Sequence, residues 1–162
     1  MGPVSQPEMH PSAVKVATFL ADAGHPHEVV MLPVTGRTAA DAAAALGVEL
    51  GQIAKSIVFR RKSDDAAVLV VTSGDLRVDE KKVAAIVGKL GRADDDFVKA
   101  ATGFSIGGVS PVAHTTPPVT LIDAELFRFD EIWAAAGHPH AVFPLSPAEL
   151  VELTGADTAD VT

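Results

Sequence analysis

Apolar positions along this chain change period several times, and each change predicts an element. Val16, Leu20 and Ala23 recur at helical spacing after Ser12, which reads as an N-cap, and Gly24 is the stop. Residues 27–32 read as a short strand ended by Pro33. Thr38 caps a second helix through Leu46, with Asp41 where a carboxylate favours a helix start and Gly47 as the stop. Two β-rich runs, 56–61 and 66–72, flank a polar break and predict an antiparallel hairpin. Asp79 caps a helix whose face is Val83, Ile86, Val87 and Leu90, and another short helix fits 94–101. A loop rich in glycine and proline covers 103–118, and strands follow at 119–122, 132–135 and 141–145. Ser146, with Pro147 at the first helical position, opens a last helix to Leu153. Gly155 stops it, and the tail from Ala156 is expected to be loose.

Strands and helices mix without strict alternation, which predicts an α+β domain on a mixed sheet rather than a doubly wound one. The 162 residues suit a single domain, and no linker divides them. The expected organisation is a flexible tail over 1–11, one domain over 12–156 and a short tail over 157–162. One pentapeptide recurs: Ala23-Gly24-His25-Pro26-His27 and Ala136-Gly137-His138-Pro139-His140. The surrounding residues do not match, so this is no duplicated fold. Each copy follows a glycine and leads into an apolar run, so each reads as a turn. Proline holds the flanking rings apart and no carboxylates cluster with them, which argues against a metal.

Composition narrows the function. Cysteine is absent, which excludes a disulfide scaffold, a thiolate zinc site and a cysteine nucleophile. The start has no signal-peptide pattern and no apolar run is long enough for a bilayer, so the cytoplasm is expected and a membrane is not a partner. Net charge is −8, from 21 acids against 13 bases, so an extended DNA-type groove is not expected. Aromatics are only 5%, too few for a multi-base stacking platform. A small local basic site remains compatible, and Arg60, Arg61 and Lys62 near the hairpin, with Arg77, Lys81 and Lys82 beyond, are candidates for holding phosphate.

Chemistry-bearing residues are few. Lys55 opens an apolar strand, where a cation either meets an anion in a pocket or reaches water at the strand edge. In Gly107-Gly108-Val109-Ser110-Pro111, adjacent glycines bring backbone N–H groups close to a ligand and suit an oxyanion hole, or else a plain tight turn. No lysine follows the second glycine as in a phosphate P-loop. His114, four residues after Ser110, fits a polar pocket contact better than a serine–histidine nucleophile pair, because no third orienting group is evident.

Several segments in order carry a resemblance: Ile53-Ala54-Lys55-Ser56-Ile57-Val58-Phe59, Val71-Thr72-Ser73-Gly74-Asp75, Thr102 through the glycine loop to Pro111, Val119-Thr120-Leu121-Ile122-Asp123, Ala135-Ala136-Gly137, and Leu145-Ser146-Pro147-Ala148-Glu149-Leu150. Over residues 12–156 the chain resembles the YbaK/prolyl-tRNA-synthetase-associated domain family, the YbaK/EbsC-like aminoacyl-tRNA deacylases. The resemblance implies a single mixed α/β domain on a curved, barrel-like sheet with flanking helices. It implies a trans-editing deacylase acting on Cys- or Ala-tRNA(Pro)-type substrates, without metal or other cofactor. Lys55, Gly107, Gly108 and Ser110 take the catalytic positions, and Val109, Pro111, His114, Asp123, Ser73 and Gly74 the substrate-binding ones. The implied partner is the acceptor end of an aminoacyl-tRNA, with an aminoacyl-tRNA synthetase as a further one; the oligomeric state is left open. Many relatives have glycine two residues after the loop proline, whereas this chain has Ala113, which implies a stiffer loop. The rival readings are a binding module that keeps the pocket without turnover and, more remotely, a metal-dependent hydrolase using the histidines.

Overall fold

The computed structural model describes residues 9–32 and 38–162. Helix α1 (Pro11–Asp22) is capped by His10, whose Nδ1 accepts from the Ser12 N–H at 3.1 Å. Ser12 therefore donates to the cap rather than forming it, and Pro11 takes the first helical position, where its missing N–H costs nothing. The strand expected at 27–32 shrinks to β1 (Val30–Met31), and its predicted end at Pro33 lies outside the described residues. Local capping chemistry places α2 (Ala39–Leu46) behind Thr38, α3 (Glu80–Val87) behind Asp79, α4 (Asp95–Thr102) behind Asp94 and α5 (Pro147–Thr154) behind Ser146. The α5 start is a reciprocal capping box of Ser146 and Glu149.

Strands β2 (Ile53–Arg61) and β3 (Ala67–Ser73) form the predicted hairpin, paired from Ala54↔Ser73 to Arg60↔Ala67. Leu90, expected on the face of α3, lies instead in β4 (Leu90–Gly91), because α3 stops at Gly88 with φ +105°. β5 (Val119–Asp123), β6 (Ile132–Ala135) and β7 (Ala141–Leu145) follow, and the tail adds β8 (Asp157–Ala159). The sheet order is β1-β7-β6-β2-β3-β5-β8, with β4 on β2. Parallel pairs (β2 with β6, β3 with β5, β5 with β8) are mixed with antiparallel ones, so the domain is α+β on a mixed sheet. β1 and β8 stand at the two ends, and the sheet is not closed into a barrel.

β3 reads as an unbroken apolar run because both its faces are covered. Leu69 and Val71 pack with Ala54, with Val16 and Leu20 of α1 and with Phe104, Phe143 and Leu150. Val68 and Val70 pack on the other face with Val83 and Val161. Burying each such side chain contributes about 1.5–3 kcal/mol. Val161 is fully buried, which gives β8 its anchor and explains why the end of the chain carries structure.

Candidate active site

The strand that carries Lys55 has one continuous edge and one broken edge. β3 covers β2 from Ala54 to Arg60, while on the other side β6 holds only Ile53 and Ala54 and β4 only Arg60 and Arg61. Residues 55–59 thus have no strand on that edge among the described residues. The 103–118 loop crosses there, and a cavity of about 140 Å³ remains between them. Ser56, Val58, Val98, Ile106, Gly107 and Val109 form most of its wall, with Ile57 and Ala93. The wall is apolar except for the Ser56 hydroxyl, which is buried and has no hydrogen-bond partner. An orphaned buried hydroxyl costs about 1–3 kcal/mol, so its position in a cavity wall points to a ligand that satisfies it.

Loop geometry distinguishes the two glycines. Gly107 has φ +95°, a left-handed conformation that favours glycine. The Gly108 N–H already donates to the Ser105 carbonyl at 3.1 Å, so it is not a donor for substrate. The amides of Gly107 and Val109 have no acceptor among the described residues. Gly108 is required for a different reason: a Cβ there would lie 2.9 Å from the main chain of His138. The loop therefore presses backbone to backbone on the 136–140 turn, and the His138 ring stacks at 4.6 Å on His10. Partial burial lowers the His138 pKa below its ordinary 6.5, and the neighbouring His10 and His140 act in the same direction.

Ser110 and His114 do not form a nucleophile pair. The Ser110 hydroxyl accepts from the Val112 N–H, and His114 Nε2 meets the Ser110 carbonyl at 2.6 Å. A carbonyl only accepts, so Nε2 carries the proton, and burial pushes the His114 pKa down. Pro111 and His114 line a separate space of about 570 Å³ behind the loop, against Lys15, Phe19 and Asp22 of α1. Ala113 lies between them with φ +67°. That is glycine's region, so the residue that replaces the expected glycine holds about 1–2 kcal/mol of strain.

The other sequence-selected residues fall elsewhere. Alternation along β2 turns Ser56 and Val58 to the cavity, and Lys55 to the face it shares with Thr72. Lys55 is half-buried and is not part of the cavity wall. On its side, Arg128 hydrogen bonds to Asp75 and holds that carboxyl below its usual range, with the Lys55 charge adding to the effect. Asp123 is fully buried and accepts from Thr72, Thr162 and the Glu125 amide, so it fastens β3, the chain end and the 3-10 turn Ala124–Arg128. Gly74 fits only because a Cβ would lie 2.6 Å from the Leu50 carbonyl, and Ser73 is buried beside it. The structure brings Gly107 and Val109 to one cavity and leaves Lys55, Ser73, Gly74 and Asp123 outside it. Two residues it adds are Ser56, in the cavity wall, and His138, against the back of the loop at Gly108. Their sequence signals were a lone serine inside an apolar strand and the second histidine pentapeptide. Among the described residues no three histidine or acidic side chains are arranged to hold a metal ion, and no helix is long and apolar enough to cross a membrane.

The fold and site thus define an open mixed α+β sheet with a small apolar cavity beside a glycine loop. Residues 34–153 match the aminoacyl-tRNA editing domain family, and the chain belongs to it. It is 32% identical over 144 residues to the uncharacterized protein YwhH of Bacillus subtilis (strain 168), covering 88% of this chain and 91% of that one. It is 28% identical over 127 residues, 77% of either chain, to a protein of Enterococcus faecalis (strain ATCC 700802 / V583) provisionally named Cys-tRNA(Pro)/Cys-tRNA(Cys) deacylase EbsC. A crystal structure provisionally described as a trans-editing enzyme for prolyl tRNA synthetase superposes with a TM-score of 0.90 at 43% identity, covering 96% of this chain and 99% of that one.

Proposed function

We propose that this protein is a trans-editing deacylase that hydrolyses the ester of a tRNA mischarged with a small amino acid, of the Cys- or Ala-tRNA(Pro) type. One observation carries the reading: a small apolar cavity with a single orphaned hydroxyl, closed by a loop that offers free amides. At roughly 30 Å³ per water-sized group, a space of about 140 Å³ takes an aminoacyl group of a few heavy atoms and rejects a bulky one.

In this reading the side chain enters the cavity and the Ser56 hydroxyl meets its polar end. The ester carbonyl oxygen points at the Gly107 and Val109 amides. Water adds to the carbonyl carbon, and the amides hold the oxyanion that forms. The carbon–oxygen bond to the ribose then breaks, and the ribose oxygen takes the proton. A substrate hydroxyl or thiol helps activate the water, so no protein nucleophile is needed. Lys55, one residue from Ser56 on an uncovered edge, meets the terminal adenosine phosphate from the outer face of β2. The reaction uses the chain's own donors without a metal. Its partner is the acceptor end of an aminoacyl-tRNA, and its compartment is that of translation, the cytoplasm. A methylene gives a synthetase only about 1–3 kcal/mol of discrimination, so a second, small-pocket hydrolase answers a physical limit.

Incubation of the purified protein with a panel of mischarged tRNAs is the test. Small aminoacyl esters are expected to be lost at least 100-fold faster than phenylalanyl or leucyl ones. No loss above buffer on any substrate ends the proposal. Lys55→Ala is expected to reduce turnover sharply with the fold intact, and unchanged turnover removes Lys55 from the site. One observation favours a second reading, a binding module without turnover: among the described residues no acidic or basic side chain lines the cavity. Tight binding of a non-hydrolysable aminoacyl-adenosine with no ester loss selects it.

A further inference from the structure

The basic residues of the hairpin have a place in the fold that the acyl cavity does not account for. A groove of about 540 Å³ crosses β2 and β4, lined by Arg60, Lys62 and Arg92 with Glu80 as its one acid. It adjoins the small cavity, since Val58 and Ala93 belong to the walls of both. Gly91 shapes its floor: a Cβ there would lie 2.9 Å from Arg60 Nη2 and 3.3 Å from Lys62 Cε. The glycine thus lets two cations lie side by side across β4. Arg60 pairs with Asp65 at 2.7 Å, but Asp65 is 73% exposed, so the pair is a surface one that a phosphate readily replaces. Lys62 and Arg92 make no ion pair among the described residues. In a chain of net charge −8, three cations against Glu80 and the exposed Asp65 leave a local positive excess that attracts an anionic strand to this edge.

We propose that this groove holds the phosphates of the single-stranded 3′ end of the substrate RNA and so delivers its terminal ester to the acyl cavity. The inference rests on the editing reading for the identity of the RNA. Its geometry is independent of turnover: a short strand follows the groove across β4, and its last nucleotide reaches Val58 and Ala93, where the cavity opens. Arg61 is not part of this track, since it pairs with Asp64 and meets the Val87 carbonyl.

The test measures binding and turnover separately on the full chain. Binding uses an uncharged acceptor-stem minihelix with a fluorescent label and a free 3′ single strand, titrated by anisotropy between 50 and 500 mM salt. With about three phosphates neutralised, the slope of log K on log salt is expected near −2. Arg60→Gln/Lys62→Gln/Arg92→Gln is expected to weaken binding at least 10-fold and flatten that slope, with the melting temperature held. Lys62→Glu alone, at an exposed position, is expected to weaken it about 5-fold and serves if the triple variant does not fold. Minihelix binding that is lost in these variants while no mischarged tRNA is hydrolysed upholds the groove and ends the editing reading. Turnover with unchanged KM and unchanged salt dependence in the variants upholds editing and overturns the groove. A blunt duplex lacking the single strand, or adenosine monophosphate, binding as well as the minihelix also overturns it.

Discussion

The same five residues, Ala-Gly-His-Pro-His, occur at 23–27 and at 136–140, and the fold uses them in opposite ways. Both glycines take positive φ, +74° at Gly24 and +87° at Gly137, so the local chain chemistry gives the same kind of turn twice. Gly24 has nothing within 4 Å of where a Cβ would stand, whereas a Cβ on Gly137 would lie 2.6 Å from the Ser12 carbonyl and 2.8 Å from the Phe104 ring. His25 is buried, meets the Pro144 carbonyl at 3.1 Å and lies 3.8 Å from Glu149, so it ties the end of α1 to β7 and α5. His138 is half-buried, stacks on His10 and lies under Gly108 of the glycine loop. One turn ties α1 to β7 and α5, and the other backs the glycine loop through Gly108. The difference comes entirely from what the rest of the chain packs against each.

The largest expected effect separates the two glycines. Gly137→Ala combines left-handed strain with overpacking and is expected to cost about 3–5 kcal/mol, roughly 10 °C in melting temperature for a domain of this size. Gly24→Ala meets only the strain and should cost about 1–2 kcal/mol. Equal shifts in thermal melts would break the comparison.

The histidines sharpen it next. His25→Ala is expected to cost about 2–3 kcal/mol through a lost buried contact and hydrogen bond, with kcat/KM per folded molecule unchanged. His138→Ala is expected to cost less than about 1 kcal/mol in melts but to lower deacylation at least 10-fold. A variant that moves both readouts equally would erase the distinction.

A smaller effect appears on acidification. Burial lowers the pKa values of His114 and His138 below the ordinary 6.5, so between those lowered values and 6.5 the unfolded chain binds more protons than the native one. Stability is therefore full above pH 6.5 and falls as pH drops through the lowered pKa values. Melting temperature measured from pH 7.5 to 5 should show this decline, and His114→Gln should flatten part of it. An unchanged pH profile in that variant would exclude His114 as a source.

The smallest expected effect is at Ala113. Ala113→Gly relieves the left-handed strain at φ +67° but frees the unfolded chain, so the net change should stay within about 1 kcal/mol. A destabilisation well beyond that in denaturant melts would mean that the methyl group packs, rather than strains, the loop.

Much of the fold was legible because its signals are local. Thr38, Asp79 and Ser146 cap the helices they were expected to cap, since a side-chain oxygen reaching an amide two or three residues on needs no tertiary context. The hairpin of β2 and β3 was equally plain. β4 and β8 were not, because two or three residues carry no periodicity and exist only through pairing with β2 and β5. The site was legible in part: the glycine loop stood out, yet which of its amides is free depends on the bond from Gly108 to Ser105. Ser56 looked like one more strand residue, and only the packing around this stretch of β2, where β6 and β4 both stop short, shows that its hydroxyl is buried without a partner.

By itself the sequence determined the helices, their caps, the hairpin, the positive-φ turns and the absence of thiol chemistry, all of which act over a few residues. Tertiary structure alone decided that the sheet stays open, that a gap in strand coverage leaves a small apolar cavity, and that one of two turns of identical sequence packs against the glycine loop. Pairing between strands far apart in the chain sets where an edge is left bare, and no local pattern contains that information.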